Sequence, residues 1–393
     1  MNSRTSIWRQ LDYMTLAIVY LIAISSLFII ASATTTDGLY YFKRQLIWLV
    51  MGTFVIIVVA WVPYERFPKF SPYVYWLSVL LLAVVIVHGQ TRLGAQRWIQ
   101  VGPFQLQPSE FAKIAVVVTL ATHLAKKKTL SRWRDLISPL LHVALPMLLI
   151  LKQPDLGTAL VFVAIVAGML FMAGVPIWKL LLIFPGGFAL VVLWIYLHLT
   201  VHSIHIPLPM HQYQLNRLLI FLNPNKDPLG AGFNVIQSRI AVGIGGTWGL
   251  GLFGAHANQL SFLPEAYTDF IFAVIAEELG FVGSMAVLFA YLLLLARGTY
   301  IAAQARDRYG MLLAAGVVAM FAFHVVESAG MVSGVMPVAG VPLPFMSYGG
   351  SAFLADSAGI GILLNVYMRR KLASSVSVPV ASPVVYSKKV TQQ

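Results

Sequence analysis

The sequence predicts an all-α polytopic membrane protein of about ten transmembrane helices, with both termini cytoplasmic and a large extracellular loop between spans 7 and 8. Three observations predict it. The 393 residues are 59% hydrophobic and only 10% charged, a balance that soluble domains of this length do not show. Apolar runs long enough to cross a hydrocarbon core of about 30 Å recur along the chain. The basic residues gather in short loops: Lys126, Lys127, Lys128, Arg132 and Arg134 in one, Arg297, Arg306 and Arg308 in another, and Arg369, Arg370 and Lys371 near the end. A net charge of +13 invites a nucleic-acid partner. Its confinement to loops fits the positive-inside rule and attraction to anionic membrane lipids instead, so no nucleic acid is expected. The chain has no cysteine, which excludes disulfides and thiol chemistry.

The expected spans are 13–33, 45–62, 73–87, 109–125, 137–151, 157–173, 179–199, 269–296, 310–331 and 351–368. The first lacks a convincing cleavage site and reads as a retained helix. An inside N-terminus places 18 of the 27 Lys and Arg residues on the cytoplasmic side. The opposite orientation would reverse that bias. Only Asp12, Glu65, Asp135 and Asp307 among the acids then fall inside, so the chemistry is expected to face outward. Residues 1–372 form one membrane domain. Residues 373–393, rich in Ser, Val and Pro, are expected to be a weakly ordered cytoplasmic tail.

Two interruptions stand out. Pro185-Gly186-Gly187 should kink or break the seventh span, which is tolerable only against protein or a wet cavity. The outer loop 200–268 is too apolar to be free. Phe233, Ile236, Ile240 and Ile244 recur at helical spacing, predicting a short helix on or dipping into the membrane surface. Gly243, Gly245, Gly246, Gly249 and Gly251 follow as a flexible or tightly packed strip.

Acids at membrane depth are costly and usually functional. Asp269 enters the eighth span from the long loop, where a helix N-terminus and outside water favour the ionised form. Such a carboxylate can accept a proton from a hydroxyl nucleophile, or simply stabilise the helix dipole. Glu265 lies four residues earlier and either shares its face or caps it. Glu277 and Glu278 lie about 12 Å deeper, too far for a paired-carboxylate mechanism. Glu110 and Lys113 are three apart and share a helix face. A lysine one turn inside a span needs an anion: Glu110, another acid or a ligand phosphate. Asp155 reads as a cap for the sixth span, and Arg217 as a headgroup ligand or a solvated surface cation. Prolines make 338–351 a re-entrant or hairpin loop, in which Ser347 and the Gly349-Gly350 backbone can donate to an anion. His202, His205 and His211 lie close together, yet nothing fixes them to one metal-binding face. No P-loop, dinucleotide fingerprint, HExxH or GxSxG motif is present.

Several motifs then match one family together. They are Gly94-Ala95-Gln96-Arg97-Trp98, Gln107-Pro108-Ser109-Glu110-Phe111-Ala112-Lys113, Gln153-Pro154-Asp155-Leu156-Gly157-Thr158, Asp227-Pro228-Leu229-Gly230-Ala231-Gly232, and the segments 263–270 and 344–351. The chain resembles the SEDS family of bacterial cell-wall proteins (shape, elongation, division, sporulation). Gly340-Val341-Pro342-Leu343-Pro344 and Ile236-Gln237-Ser238 look more like its elongation member than its division member. Ser328-Ala329-Gly330-Met331 departs from the pattern, since asparagine is expected at its first position.

The resemblance implies a peptidoglycan glycosyltransferase of the bacterial cytoplasmic membrane, with lipid II and the growing glycan strand as substrates. It implies a class B penicillin-binding protein as partner. It makes Asp269 the catalytic base, and Arg97, Trp98, Glu110, Lys113, Asp155, Arg217, Gln237, Glu265 and Ser347 substrate-binding candidates. Lys113, Arg217 and a divalent cation, Mg²⁺ or Mn²⁺, would supply positive charge to a departing diphosphate, and the broken seventh span would wall a lipid groove. Two rivals remain. A lipid II flippase suits the acids Glu277 and Glu327 within spans, and a non-catalytic scaffold would only position the partner. The polar motifs cluster at the outer ends of spans, which favours an enzyme over a transporter.

Overall fold

The computed structural model describes residues 10–35, 38–92, 95–102, 104–127, 129–200, 212–230, 232–254 and 266–370. Glu265, the three loop histidines and the C-terminal tail fall outside them. Among the described residues the helices are α1 (Tyr13–Ala33), α2 (Tyr40–Trp61), α3 (Phe67–His88), α4 (Pro108–Ala125), α5 (Trp133–Lys152), α6 (Leu156–Met172) and α7 (Ile177–Thr200). They continue as α8 (Gln212–Leu222), α9 (Phe233–Gly245), α10 (Ile271–Ala303), α11 (Arg308–Ser333) and α12 (Gly350–Arg369). Each expected span coincides with a helix. Eight helical segments are long and apolar enough to cross a membrane. The other two spans correspond to α4, which carries Glu110 and Lys113, and to the 17-residue α6.

The core sits where α4, α11 and α12 meet, and these helices are buried over most of their length. α12 packs along α2, α10 along α11 and α1, and α11 along α6. Polar locks fix these pairs. The Arg297 guanidinium on α10 donates to both oxygens of Asp12, at 2.8 and 3.0 Å, and Asp12 also caps α1 by accepting from Thr15. Burial alone would raise the Asp12 carboxyl; the Arg297 and Thr15 hydrogen bonds more than offset it and hold the group below its ordinary value. At the far end of α2, Asn365 donates to the Val59 and Val62 carbonyls, while Arg369 donates to those of Ala60 and Trp61. The last carbonyls of a helix have no partner of their own, so α12 supplies them.

Three features differ from the expectation. α7 is continuous through Pro185-Gly186-Gly187, so the chain does not break there. The proline forfeits one helical hydrogen bond. Unwinding in lipid would orphan several more, so the helix continues. The interruption lies instead in the eighth span: α10 leaves helical geometry at Gly280 (φ 65°, ψ −164°). The glycine strip fills that gap with backbone. Leu250 and Gly251 donate to the carbonyls of Glu277 and Glu278, and Phe281 and Val282 donate to those of Gly246 and Thr247. Finally, the loop before α4 is an antiparallel sheet of β1 (Gln90–Arg92), β2 (Ala95–Val101) and β3 (Phe104–Leu106).

The surface helix expected near 233–244 is present as α9. Val235, Ser238, Ala241 and Gly245 form its buried face, against α10 and α11, while Ile240 and Ile244 point outward. Small residues therefore face the protein, and the large apolar ones are left for the membrane surface.

A Cβ at Gly280 would strike the backbone of Gly249, Thr247 and Trp248, and its φ is positive. Gly187 has open space around it. Gly280→Ala is therefore expected to lower the melting temperature in detergent. Gly187→Ala should leave it unchanged or raise it, as glycine costs a helix interior about 1 kcal/mol relative to alanine.

Candidate active site

The first residues of α2, α4 and α12 and the turn just before α10 converge on one end of the bundle. There they enclose a cavity of about 740 Å³. Its wall includes Tyr40, Tyr41, Arg44 and Trp48 from α2, Arg97, Trp98 and Gln100 from β2, and Glu110 from α4. Arg217 of α8, Tyr267 to Asp269, Gly340, Pro342 and the 348–352 segment complete it. Several helices thus turn their N-terminal ends toward this space, which favours an anion there.

Asp269 lies in the turn that precedes α10, two residues before its first helical position. The loop between α11 and α12 holds that turn. Ser347 Oγ donates to the Thr268 carbonyl at 2.7 Å and accepts from Leu343 N–H at 2.9 Å. Tyr348 N–H donates to the Tyr267 carbonyl at 2.9 Å, and Tyr291 Oη donates to the Pro344 carbonyl at 2.6 Å. Gly340 (φ 73°) comes flush against the same turn. A methyl group there would lie 3.0 Å from Asp269 Oδ2 and 3.9 Å from a guanidinium nitrogen of Arg217. Asp269 and Arg217, far apart in sequence, are therefore neighbours across one glycine.

Five of the predicted residues line the cavity: Asp269, Arg217, Glu110, Arg97 and Trp98. The other described ones stand behind it. Asp155 caps α6 by accepting from Thr158 N–H at 3.2 Å and lies 3.6 Å from Arg97. Arg97 also donates to the carbonyls of Gln153 and Pro154, so the Gln153–Thr158 motif anchors the sheet. Ser347 ties loops together as described. Gln237 sits on α9 and is not part of the cavity wall.

Lys113 is not part of the cavity wall. It is fully buried, with its ammonium 2.8 Å from Glu110 Oε2 and 3.1 Å from His324 Nε2. Glu110 stands between it and the cavity, and a charge so enclosed is held by its pair rather than offered to a ligand.

Sequence reasoning missed the α2 wall. Arg44 lies 4.8 Å from the Tyr40 ring centroid. Tyr41, Tyr267 and Tyr348 form a mutual ring cluster with centroids 4.6 to 5.7 Å apart. The Tyr40-Tyr41-Phe42-Lys43-Arg44 run reads as an interfacial belt, which hides its cavity face.

A bundle of membrane-length helices that gathers acids, arginines and aromatic rings around one polar cavity is a polytopic membrane protein with an enzyme-like site. The chain belongs to the cell cycle protein family of FtsW, RodA and SpoVE, whose pattern it matches over residues 4–372. Peptidoglycan glycosyltransferase MrdB of Escherichia coli (strain K12) is 38% identical over 368 residues, covering 93% of this chain and 95% of that protein. Peptidoglycan glycosyltransferase RodA of Treponema pallidum is 33% identical, covering 91% and 98%. Among solved structures, a chain from a peptidoglycan synthase complex described as coordinating polymerization and crosslinking matches with a TM-score of 0.76 at 35% identity, over 92% and 98% of the two chains. The rod shape determining protein RodA of Thermus thermophilus matches with a TM-score of 0.68 at 30% identity, over 92% and 97%.

Lys113→Met should leave Glu110 buried without its cation and lower the melting temperature, since breaking a buried pair costs about 3–5 kcal/mol. Adding Glu110→Gln should recover most of that loss. Thermal melting of the two single variants and the double variant checks this. An unchanged melting temperature in Lys113→Met would show that the pair does not hold the bundle.

Proposed function

We propose that this chain polymerises lipid II into β-1,4 glycan strands, with Asp269 as general base and release of undecaprenyl diphosphate. The chain is a peptidoglycan glycosyltransferase, as its full-length relatives are named. The observation that carries the mechanism is Asp269 on the wall of a polar cavity, beside Arg217 and at the convergence of helix N-termini.

Asp269 takes the proton from the 4-hydroxyl of the acceptor sugar. That oxygen attacks the anomeric carbon of the donor chain, and the bond to undecaprenyl diphosphate breaks on the opposite face. An α-linked donor thereby becomes a β-linked product. Negative charge grows on the leaving diphosphate, and preorganised positive groups stabilise it. Arg217, Arg44 and the N-terminal ends of α2, α4 and α12 are placed for that. Lys113 supports Glu110 instead of meeting the phosphate. Glu110 and Trp98 remain candidates to orient the sugars.

A divalent cation would add charge neutralisation at the diphosphate. Among the described residues no three His, Asp or Glu side chains gather to ligate one. The described residues therefore offer no ligand set of their own, and a cation would be held chiefly by diphosphate oxygens and water, as Mg²⁺ often is. No step above depends on it.

The enzyme crosses the bacterial cytoplasmic membrane ten times with both termini inside and the cavity outside. The inside bias of Lys and Arg supports this orientation. A class B penicillin-binding protein, which crosslinks what this chain polymerises, is the expected partner, by analogy with the matching synthase complex. The role in elongation rests on residues 236–238 and 340–344. The flippase reading is disfavoured because the charged cavity residues gather at one end of the helices.

Asp269→Asn is nearly isosteric and should fold and bind its partner normally while losing about 10²–10⁴-fold in polymerisation of purified lipid II. Near-normal polymerisation would refute the assignment. For the topology, Asn225→Cys should react with an impermeant thiol reagent in intact spheroplasts, and Ser131→Cys should not. The reverse labelling would put Asp269 on the cytoplasmic side, where an enzyme building an external polymer cannot use it.

A further inference from the structure

Glu327 lies about two turns from the C-terminal end of α11 and is 0% exposed. The mechanism does not use it. One of its oxygens, Oε1, accepts from Ala339 N–H at 3.1 Å. The other, Oε2, has no hydrogen-bond partner among the described residues. Its electrostatic neighbours are Asp269 and Arg217, the two charged groups on either side of Gly340.

The backbone it grips is the one that sets those two groups. The Val338 carbonyl accepts from Arg217 Nη1 at 3.0 Å. Ala339 N–H donates to Glu327. Gly340 packs against the Asp269 carboxylate. Three consecutive residues therefore hold the arginine, the anchor and the acid. On the other side Gly157, at the start of α6, fits against the Ala339 carbonyl with no room for a Cβ. The segment is clamped between two rigid helices, and the hydrogen bond to Glu327 is the only polar link from α11 to it that the described residues show.

We infer that Glu327 is a positioning residue: through its hydrogen bond to Ala339 it fixes the 338–340 backbone and so the spacing of Asp269 and Arg217. A carboxyl group is an expensive anchor in such a place. Its reach suits the task, because the acceptor must span from the α11 backbone to an N–H that no helix satisfies. The inference rests on the proposed reaction, in which Asp269 and Arg217 act on opposite ends of the bond change. A misplacement of about 1 Å at such a pair costs on the order of 10²-fold in rate.

Two conservative variants separate position from charge. Glu327→Gln keeps the length and an acceptor oxygen for Ala339, and its amide nitrogen falls where Oε2 had no hydrogen-bond partner. Glu327→Asp keeps the carboxyl group but withdraws its oxygens by one methylene. Lipid II polymerisation by the chain with its partner gives kcat and KM, and melting in detergent gives stability. The expected result is Glu327→Gln within about threefold of wild type and Glu327→Asp lowered about tenfold or more in kcat, with melting temperatures close to wild type. The inference is overturned if Glu327→Asp is active and Glu327→Gln is not, which assigns a charge role. It is also overturned if both match wild type, or if both lose activity only in step with melting temperature. Failure of the proposed function is distinct, since the wild-type protein would then make no polymer.

Discussion

A polar group inside a bundle bathed in lipid cannot turn to water, and that constraint organises this molecule. Each buried charge or backbone end must find a protein partner. Asp12 finds Arg297, the end of α2 finds Asn365 and Arg369, and Glu110 finds Lys113 and, through it, His324. The break in α10 is tolerated for the same reason: the glycine strip returns four backbone hydrogen bonds to the interrupted helix. These locks leave the cavity as the place where charged side chains and aromatic rings share one wall at the ends of several helices.

The loop between α11 and α12 converts that rigidity into a site. It has little regular structure, yet Leu343, Phe345 and Met346 are buried almost completely, and Ser347 and Tyr348 bond to the turn that carries Asp269. Its other end meets Glu327, Arg217 and Gly157. A loop tied at both ends to helices behaves as a template rather than a tether. Asp269 and Arg217, which stand against it from the turn before α10 and from α8, keep their spacing, and spacing is what the proposed two-substrate displacement needs.

Much of this was legible in the sequence because lipid imposes simple rules. Runs of apolar residues placed a helix at every expected span, although those expected at 45–62 and 73–87 begin five to six residues earlier and that expected at 269–296 ends seven residues later. What stayed hidden depended on contacts between distant segments. Pro185 looked like a break but costs a single hydrogen bond, whereas the real break at Gly280 required the glycine strip to pack against it. Lys113 looked like a phosphate ligand because its depth was visible and His324 beside it was not. Arg44 was not singled out because nothing local says that α2 begins at the cavity. Glu327 read as an acid within a span that would suit a flippase, and its partner, Ala339 N–H, lay outside that span.

The proposed reaction has the cavity making glycosidic bonds rather than moving lipid. Purified lipid II, presented to the purified chain in liposomes with its partner's transpeptidase inactivated, tests it directly. The expected result is glycan polymer, made only where lipid II is accessible from the cavity side of the membrane. Transfer of lipid II between leaflets with no polymer formed would contradict it.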